Sequence, residues 1–354
     1  MRLKNILVTG GAGFIGSNFI RLALDKKPHW NIVNLDALTY AGNLKNLSDV
    51  EGSQRYTFIH GDIRDSKLIS NLYAEYKFDG VFHFAAESHV DRSILNPEAF
   101  LDTNITGTFR LIDESLKFWK ANGESPDFKF LHVSTDEVYG SLGTEGAFTE
   151  KTPYDPSSPY SASKAASDHI VRAYNRTYGL PTLITNCSNN YGPYQFPEKL
   201  IPLMILNIKE GKPLPVYGDG LNVRDWLYVT DHCEALMSVF DKGQIGETYN
   251  VGGGVEQTNI EIVNTICDLV DSRLGRTESS RKLVTFVEDR LGHDKRYAID
   301  STKIETEIGW KASFILEKAL AQTVDWYLEN LDWVESIKSG EYRTWIEKNY
   351  QNRQ

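Results

Sequence analysis

The chain has 354 residues, 41% hydrophobic and 24% charged, the proportions of an ordinary globular protein of one or two domains. Its 48 acidic and 38 basic residues leave a net charge of −10, which argues against nucleic-acid binding through a broad basic face but not against a few cations gathered around a small diphosphate. Cys187, Cys233 and Cys267 are odd in number, far apart and outside any CxxC, so no disulfide framework is expected and a cytoplasmic setting fits.

The first predicted strand, 5–9, follows Met1 so closely that no signal peptide is expected. It runs into Gly10-Gly11-Ala12-Gly13-Phe14-Ile15-Gly16, and a helix-periodic pattern follows over 14–24. Glycines there allow a tight turn and let backbone amides approach a pyrophosphate at the helix N-terminus. Strand 31–35 ends at Asp36, 20 residues after Gly16. A carboxylate in that place accepts from an adenosine ribose hydroxyl and repels a 2′-phosphate, so NAD is preferred over NADP. Strand 57–60 leads to Asp62, where an adenine edge would lie, although such an acid also suits a helix N-cap for the segment near Ser66. Strand 80–85 leads to Phe84-Ala85-Ala86-Glu87-Ser88, small residues where a dinucleotide passes close to backbone.

After a helical stretch at 100–120, strand 130–134 closes on Thr135-Asp136-Glu137. The Thr135 hydroxyl is placed to hydrogen-bond an oxygen undergoing oxidation. Asp136 alone is compatible with N-capping. As a pair, Asp136 and Glu137 divide into an acid and a base, because neighbouring carboxyls separate each other's proton affinities. That is the equipment for eliminating water. Tyr160 and Lys164 stand four residues apart at the head of the helical stretch 162–178, on one face; the ammonium, together with the positive ring of a bound nicotinamide, is expected to lower the phenol's proton affinity. Strand 182–186 completes an α/β, Rossmann-type doubly wound parallel sheet, expected over 1–188.

Beyond it the rhythm changes to loops rich in Gly, Pro and Tyr, then short helices and a helical pattern at 316–328. A smaller α/β substrate-binding lobe is expected over 189–354, with segments such as 225–229 and 248–251 returning to the sheet. Lys199, Arg224, Arg290 and Arg296 are its candidate diphosphate cations, and Tyr217 is a candidate to stack on a base. No run approaches the roughly 20 apolar residues of a membrane span. His83, His89, His132, His169 and His232 show no metal-ligand spacing and are read as packing or polar-network residues, with no metal expected.

Taken together, 9–16, 35–43, 85–92, 134–140, 158–167, 186–202, 222–228 and 289–300 resemble the extended short-chain dehydrogenase/reductase family, and within it the NDP-sugar dehydratases that act on dTDP-glucose. The resemblance spans essentially the whole chain. It implies a cofactor site of Gly10, Gly13, Phe14, Ile15, Gly16, Asp36, Leu38, Thr39, Asp62, Ile63, Phe84, Ala85, Ala86, Ser88, Thr103, Tyr160, Lys164 and Asn190. It implies a substrate site of Ser88, Thr135, Asn189, Lys199, Leu200, Pro215, Val216, Tyr217, Arg224, Asn259, Asp289, Arg290, His293 and Tyr297. Chemistry would fall to Thr135, Asp136, Glu137, Tyr160 and Lys164: oxidation at C4, loss of water across C5 and C6, and hydride return to C6. A homodimer through 100–120 and 161–178 is also implied. Leu291 stands where the family usually has Pro, which loosens the backbone there. An epimerase or decarboxylase on the same scaffold would lack Asp136, and a noncatalytic NAD-binding protein would not need Thr135, Tyr160 and Lys164 together.

Overall fold

The computed structural model describes residues 2–337. In chain order its elements are β1 Lys4–Thr9, α1 Phe14–Lys26, β2 Trp30–Asp36, β3 Tyr56–His60, α2 Ser66–Tyr76, β4 Gly80–His83, α3 Val90–Leu95, α4 Pro97–Phe100, α5 Thr108–Ala121, β5 Lys129–Thr135, α6 Pro159–Tyr178 and β6 Thr182–Cys187. There follow β7 Asn189–Tyr191, α7 Leu200–Glu210, β8 Leu214–Tyr217, β9 Val223–Tyr228, α8 Val229–Lys242, β10 Thr248–Val251, β11 Glu256–Thr258, α9 Asn259–Leu274, β12 Val284–Val287, α10 Thr302–Ile308, α11 Leu316–Glu329 and α12 Leu331–Ile337.

Seven strands form one sheet in the order β10-β6-β5-β4-β1-β2-β3, and every pairing in it is parallel. Because side chains alternate along a strand, each strand feeds two cores. Ile6, Val8, Ile32 and Leu131 join α1 and α8 on one face. Leu7, Val33, Leu35 and Phe130 join α2, α5 and α6 on the other. The six strands expected from sequence all occur. The expected 80–85 strand ends at His83, because the chain then turns across the carboxyl edge of the sheet.

Two helices differ from expectation for local reasons. The 162–178 helix begins earlier, at Pro159: Ser158 and Ser161 make a capping box and Pro159 occupies the first turn. The 100–120 stretch is broken by a π-helical segment, Leu101–Gly107, before α5, an arrangement often found where a helix approaches a functional site.

A second core collects α7, α9, α11 and α12 with β7, β8 and β9. The 248–251 segment does return, as β10 on the edge of the large sheet. The 225–229 segment pairs elsewhere, β9 lying between β7 and β11 in a three-stranded sheet, although part of it packs on the core of the large sheet. Burial divides it evenly, since Trp226 and Tyr228 face the second core while Leu227 and Val229 face the first. β9 is thus a seam between the two. A two-stranded parallel pair, β8 with β12, completes this side.

Candidate active site

A cleft of about 420 Å³ crosses the carboxyl edge of the sheet, from the ends of β2 and β3 to those of β5 and β6, the edge where open α/β sheets bind ligands. Its floor begins at the glycine turn. Gly10 has φ +72°, and a Cβ there would stand 2.6 Å from the Ala85 nitrogen; one at Gly16 would stand 2.4 Å from the Gly10 oxygen. No side chain caps α1, so the amides of its first turn remain for an anion. A cradle that any Cβ would fill, opening on uncapped amides, fits a dinucleotide pyrophosphate.

Asp36 is 8% exposed. Its carboxylate accepts from the amides of Ala12 and Leu38, each at 2.8 Å. Burial raises its proton affinity and those amides oppose the rise. Every residue expected at the cofactor lines this cleft except Leu38, which holds φ +51° and meets Asp36 through its amide. Asp62 lines the cleft beside Arg64 at 2.6 Å. The N-cap of α2 is instead Asp65, which accepts from Lys67 and Leu68.

At the other end β5 delivers the reacting groups. Thr135, not Asp136, caps the short 3-10 turn Asp136–Tyr139, its hydroxyl accepting from the Glu137 amide at 3.3 Å. The capping alternative for Asp136 is therefore not adopted. Asp136 is 2% exposed; one oxygen accepts from Thr135 at 3.3 Å and the other, Oδ2, has no hydrogen-bond partner. Burial, then Glu137 and Asp225, push its proton affinity well above the ordinary carboxyl value. Burial also raises Glu137, but Arg290, Lys199 and Arg224 all pull it down. Burial raises both acids and Arg224 acts on both, but at Asp136 two carboxylates add to the rise, whereas at Glu137 three cations oppose it against the one carboxylate of Asp294.

Tyr160 and Lys164 lie on one face of α6, as expected. The phenol's proton affinity, however, is raised well above its ordinary value, by burial first and then by Glu137 and Cys187, with Thr135 opposing. Lys164 does not by itself lower it. Its ammonium donates to the Val133 carbonyl at 2.9 Å and is depressed to about 8 by burial. The phenol needs a further positive charge in the cleft to ionise.

Of the residues expected at the substrate, Ser88, Thr135, Asn189 and Lys199 line the cleft, and Lys199 donates to the Ser88 carbonyl at 3.5 Å. The other ten do not line it, and Tyr297 packs with Val138, Tyr139, Phe148 and Ala165 in a separate small core. Arg224, 5% exposed, donates to the Asp294 carbonyl at 2.9 Å and stacks over Tyr297, 4.4 Å from the ring centre. Tyr217 donates to Asp91 at 3.2 Å and meets the His293 ring edge-on. His293 lies 2.6 Å from Asp289 and is depressed to about 4 by burial and Arg290, hence neutral. Leu200 opens α7, Asn259 opens α9, and Pro215 and Val216 lie in β8, where the Val216 side chain is buried in the second core. Arg296 is engaged elsewhere, with Glu256 at 2.6 Å and the Gly146 carbonyl at 3.0 Å.

His83, His89, His132 and His232 are buried among polar groups, whereas His169 is exposed beside the Tyr154 ring. His83 bridges Thr9 and Thr108, and His232 meets Asn190 at 2.9 Å. Two groups escape a reading by sequence alone. Glu198 lines the cleft beside Tyr40 and His89 and is raised to about 7 by burial; no spacing signal marks it. Asp168, on the Tyr160–Lys164 face of α6, does carry one: it stands four residues after Lys164.

A model of the GDP-mannose 4,6-dehydratase family matches residues 7–323. A dTDP-glucose 4,6-dehydratase of Salmonella typhimurium is 56% identical over 99% of each chain, and one of Escherichia coli K12 is 54% identical over the same shares. The crystal structure of a dTDP-glucose 4,6-dehydratase of Bacillus anthracis in complex with NAD superposes with a TM-score of 0.84 at 48% identity, over 95% of this chain and 100% of that one. That of Streptomyces venezuelae, with NAD and TYD bound, gives 0.87 at 47% identity over 94% and 100%.

Proposed function

This chain belongs to the GDP-mannose 4,6-dehydratase family, and from that premise we infer that it is an NAD-dependent hydro-lyase converting dTDP-glucose to dTDP-4-keto-6-deoxyglucose and water. The observation that carries this reading is Asp136 beside Glu137, one buried among carboxylates and one facing three cations. Tyr160, with Thr135 and Lys164 beside it, takes the proton of the C4 hydroxyl. When bound, NAD supplies the acceptor for the C4 hydride, which it later returns to C6, and a positive charge that favours the phenolate. The C4 ketone acidifies C5–H, and Glu137 removes that proton. Asp136, held protonated by its surroundings, gives its proton to the C6 hydroxyl as it departs as water.

Gly10, Gly13, Phe14, Ile15, Gly16, Asp36, Leu38, Thr39, Asp62, Ile63, Phe84, Ala85, Ala86, Ser88, Thr103 and Asn190 hold the cofactor in this reading. Lys199, Arg224 and Arg290 hold the diphosphate. Tyr217 and the 289–297 segment hold the base and sugar. The test is incubation with dTDP-glucose and separately with UDP-glucose, following the alkali-induced absorbance of a 4-keto sugar. Product is expected from dTDP-glucose at the faster rate; its absence would overturn the reading.

We also propose a cofactor domain over 1–188 and a substrate lobe over 189–354, of which 338–354 lie outside the described residues, with β10 crossing back. The protein acts in the cytoplasm, a setting consistent with three buried free cysteines. It works as a homodimer through 100–120 and 161–178. Leu101, Phe109 and Tyr178, each more than 40% exposed on these segments, support that packing. Sedimentation of Phe109→Glu is expected to show monomer.

A further inference from the structure

Behind the cleft, on the side away from the reacting atoms, α6 carries an acid for which the mechanism has no use. Asp168 is fully buried, as is His132, and Lys164 is 4% exposed. His132 Nε2 lies 3.4 Å from Lys164 Nζ and 3.2 Å from Asp168 Oδ1. The other Asp168 oxygen accepts from the Tyr154 hydroxyl at 2.8 Å and from Asn186 at 3.2 Å. Arg172, half-buried, donates to that same hydroxyl at 2.5 Å. A file of polar groups therefore leads from Lys164 through the sheet edge toward the surface.

Burying an ammonium ion is costly unless a charge of opposite sign is buried with it. The Val133 carbonyl beside Lys164 is neutral. The titratable groups around the ammonium are His83 on β4, His132 on β5, Cys187 on β6, and Tyr160 and Asp168 on α6 itself. Burial holds both histidines neutral and pushes the thiol and the phenol upward. Asp168 is different: burial opposes its charge, yet His132, Lys164 and Arg172 hold it below the ordinary carboxyl value. It is the one ionised acid in that set.

We propose that Asp168 is a positioning residue for the dehydratase reaction, the buried countercharge that, with His132 between them, keeps Lys164 an ammonium ion beside Tyr160. It acts through Lys164 and touches neither sugar nor cofactor. The proposal rests on the reading that Lys164 assists Tyr160, but ionisation can be followed on Lys164 itself, so the two fail separately.

The experiment is a pH titration of the Lys164 13Cε signal in the NAD-loaded enzyme, the signal identified by its loss in Lys164→Met. In Asp168→Asn the midpoint is expected to fall by about one pH unit or more, with the alkaline fall of kcat moving the same way. Asp168→Glu, which keeps the charge, is expected to recover most of the shift. Arg172→Gln removes a cation that competes for Asp168, so its midpoint is expected to rise. A folded Asp168→Asn that loses activity at an unmoved midpoint would overturn the proposal and mark Asp168 as structural. Should that variant not fold, an unmoved or lowered midpoint in Arg172→Gln would overturn it as well.

Discussion

The two ends of the cleft are built from different materials. The cofactor end is mostly backbone: a glycine turn that no Cβ can enter, the uncapped amides of α1, and Asp36 tied to the amides of Ala12 and Leu38. The substrate end is mostly long side chains from another core, with Arg224, Arg290 and Lys199 ranged around Glu137. A backbone site is preorganised by the fold and binds any ligand of the right shape. A side-chain site costs conformational entropy to order, and in return it places cations one by one and so tunes individual proton affinities. Asp136 and Glu137 stand where the two meet.

Variants can break that contrast at the junction or at either end. The largest effect is expected from Asp136→Asn, about 10²- to 10⁴-fold in overall turnover, the usual worth of a general acid. Because oxidation at C4 does not need this acid, stopped-flow absorbance should still show NADH forming and then accumulating. Failure to form NADH would remove Asp136 from the elimination step. Arg224→Met leaves the cofactor end untouched and deletes a buried cation, so KM for dTDP-glucose is expected to rise about 30- to 100-fold, the scale of a charge-assisted contact, with NAD retained. Gly10→Ala does the reverse. It strains a backbone at φ +72° and meets Ala85 at 2.6 Å, costing about 1–3 kcal/mol. Weaker NAD binding by calorimetry, with KM for sugar little changed, is the expected pattern.

The pH dependence sharpens the same comparison. In the proposed mechanism Glu137 acts ionised, and burial raises its proton affinity, so kcat/KM is expected to fall as pH drops through that raised value. The same mechanism needs Lys164 protonated, and it is depressed to about 8, so the rate is also expected to fall as pH rises beyond that region. Arg224→Met removes a cation that holds Glu137 down; its acid limb is therefore expected to move to higher pH. The smallest effect belongs to Leu291→Pro. Leu291 is 75% exposed on the loop that carries Arg290, and stiffening it is expected to lower KM by no more than about threefold, through reduced loop entropy.

Much of this was legible in the sequence for identifiable reasons. The strands of the large sheet are short apolar runs bounded by turn residues, and period-2 burial on two faces leaves that pattern whatever the rest of the chain does. The glycine turn, Asp36, and the Tyr160–Lys164 face are local in sequence, so spacing alone reports them. Asp168 extends that face by one more turn and was equally readable.

Tertiary structure decided the rest, because it depends on groups that meet only after folding. Nothing local distinguishes 225–229, which divides its side chains between the two cores and pairs with β7 and β11, from 248–251, which joins the large sheet beside β6. Nothing local assigns acid and base between adjacent carboxyls either. That division comes from Asp225 beside Asp136 and from Arg290 and Lys199 beside Glu137, with Arg224 acting on both. Of the four candidate cations, Arg296 is drawn off to Glu256. The phenol of Tyr160 is held up by burial, Glu137 and Cys187, neighbours that its spacing from Lys164 does not report. Sequence determined the features that chain geometry sets over a few residues. Electrostatics, which sums over neighbours from every element and grows as water is excluded, belonged to the fold.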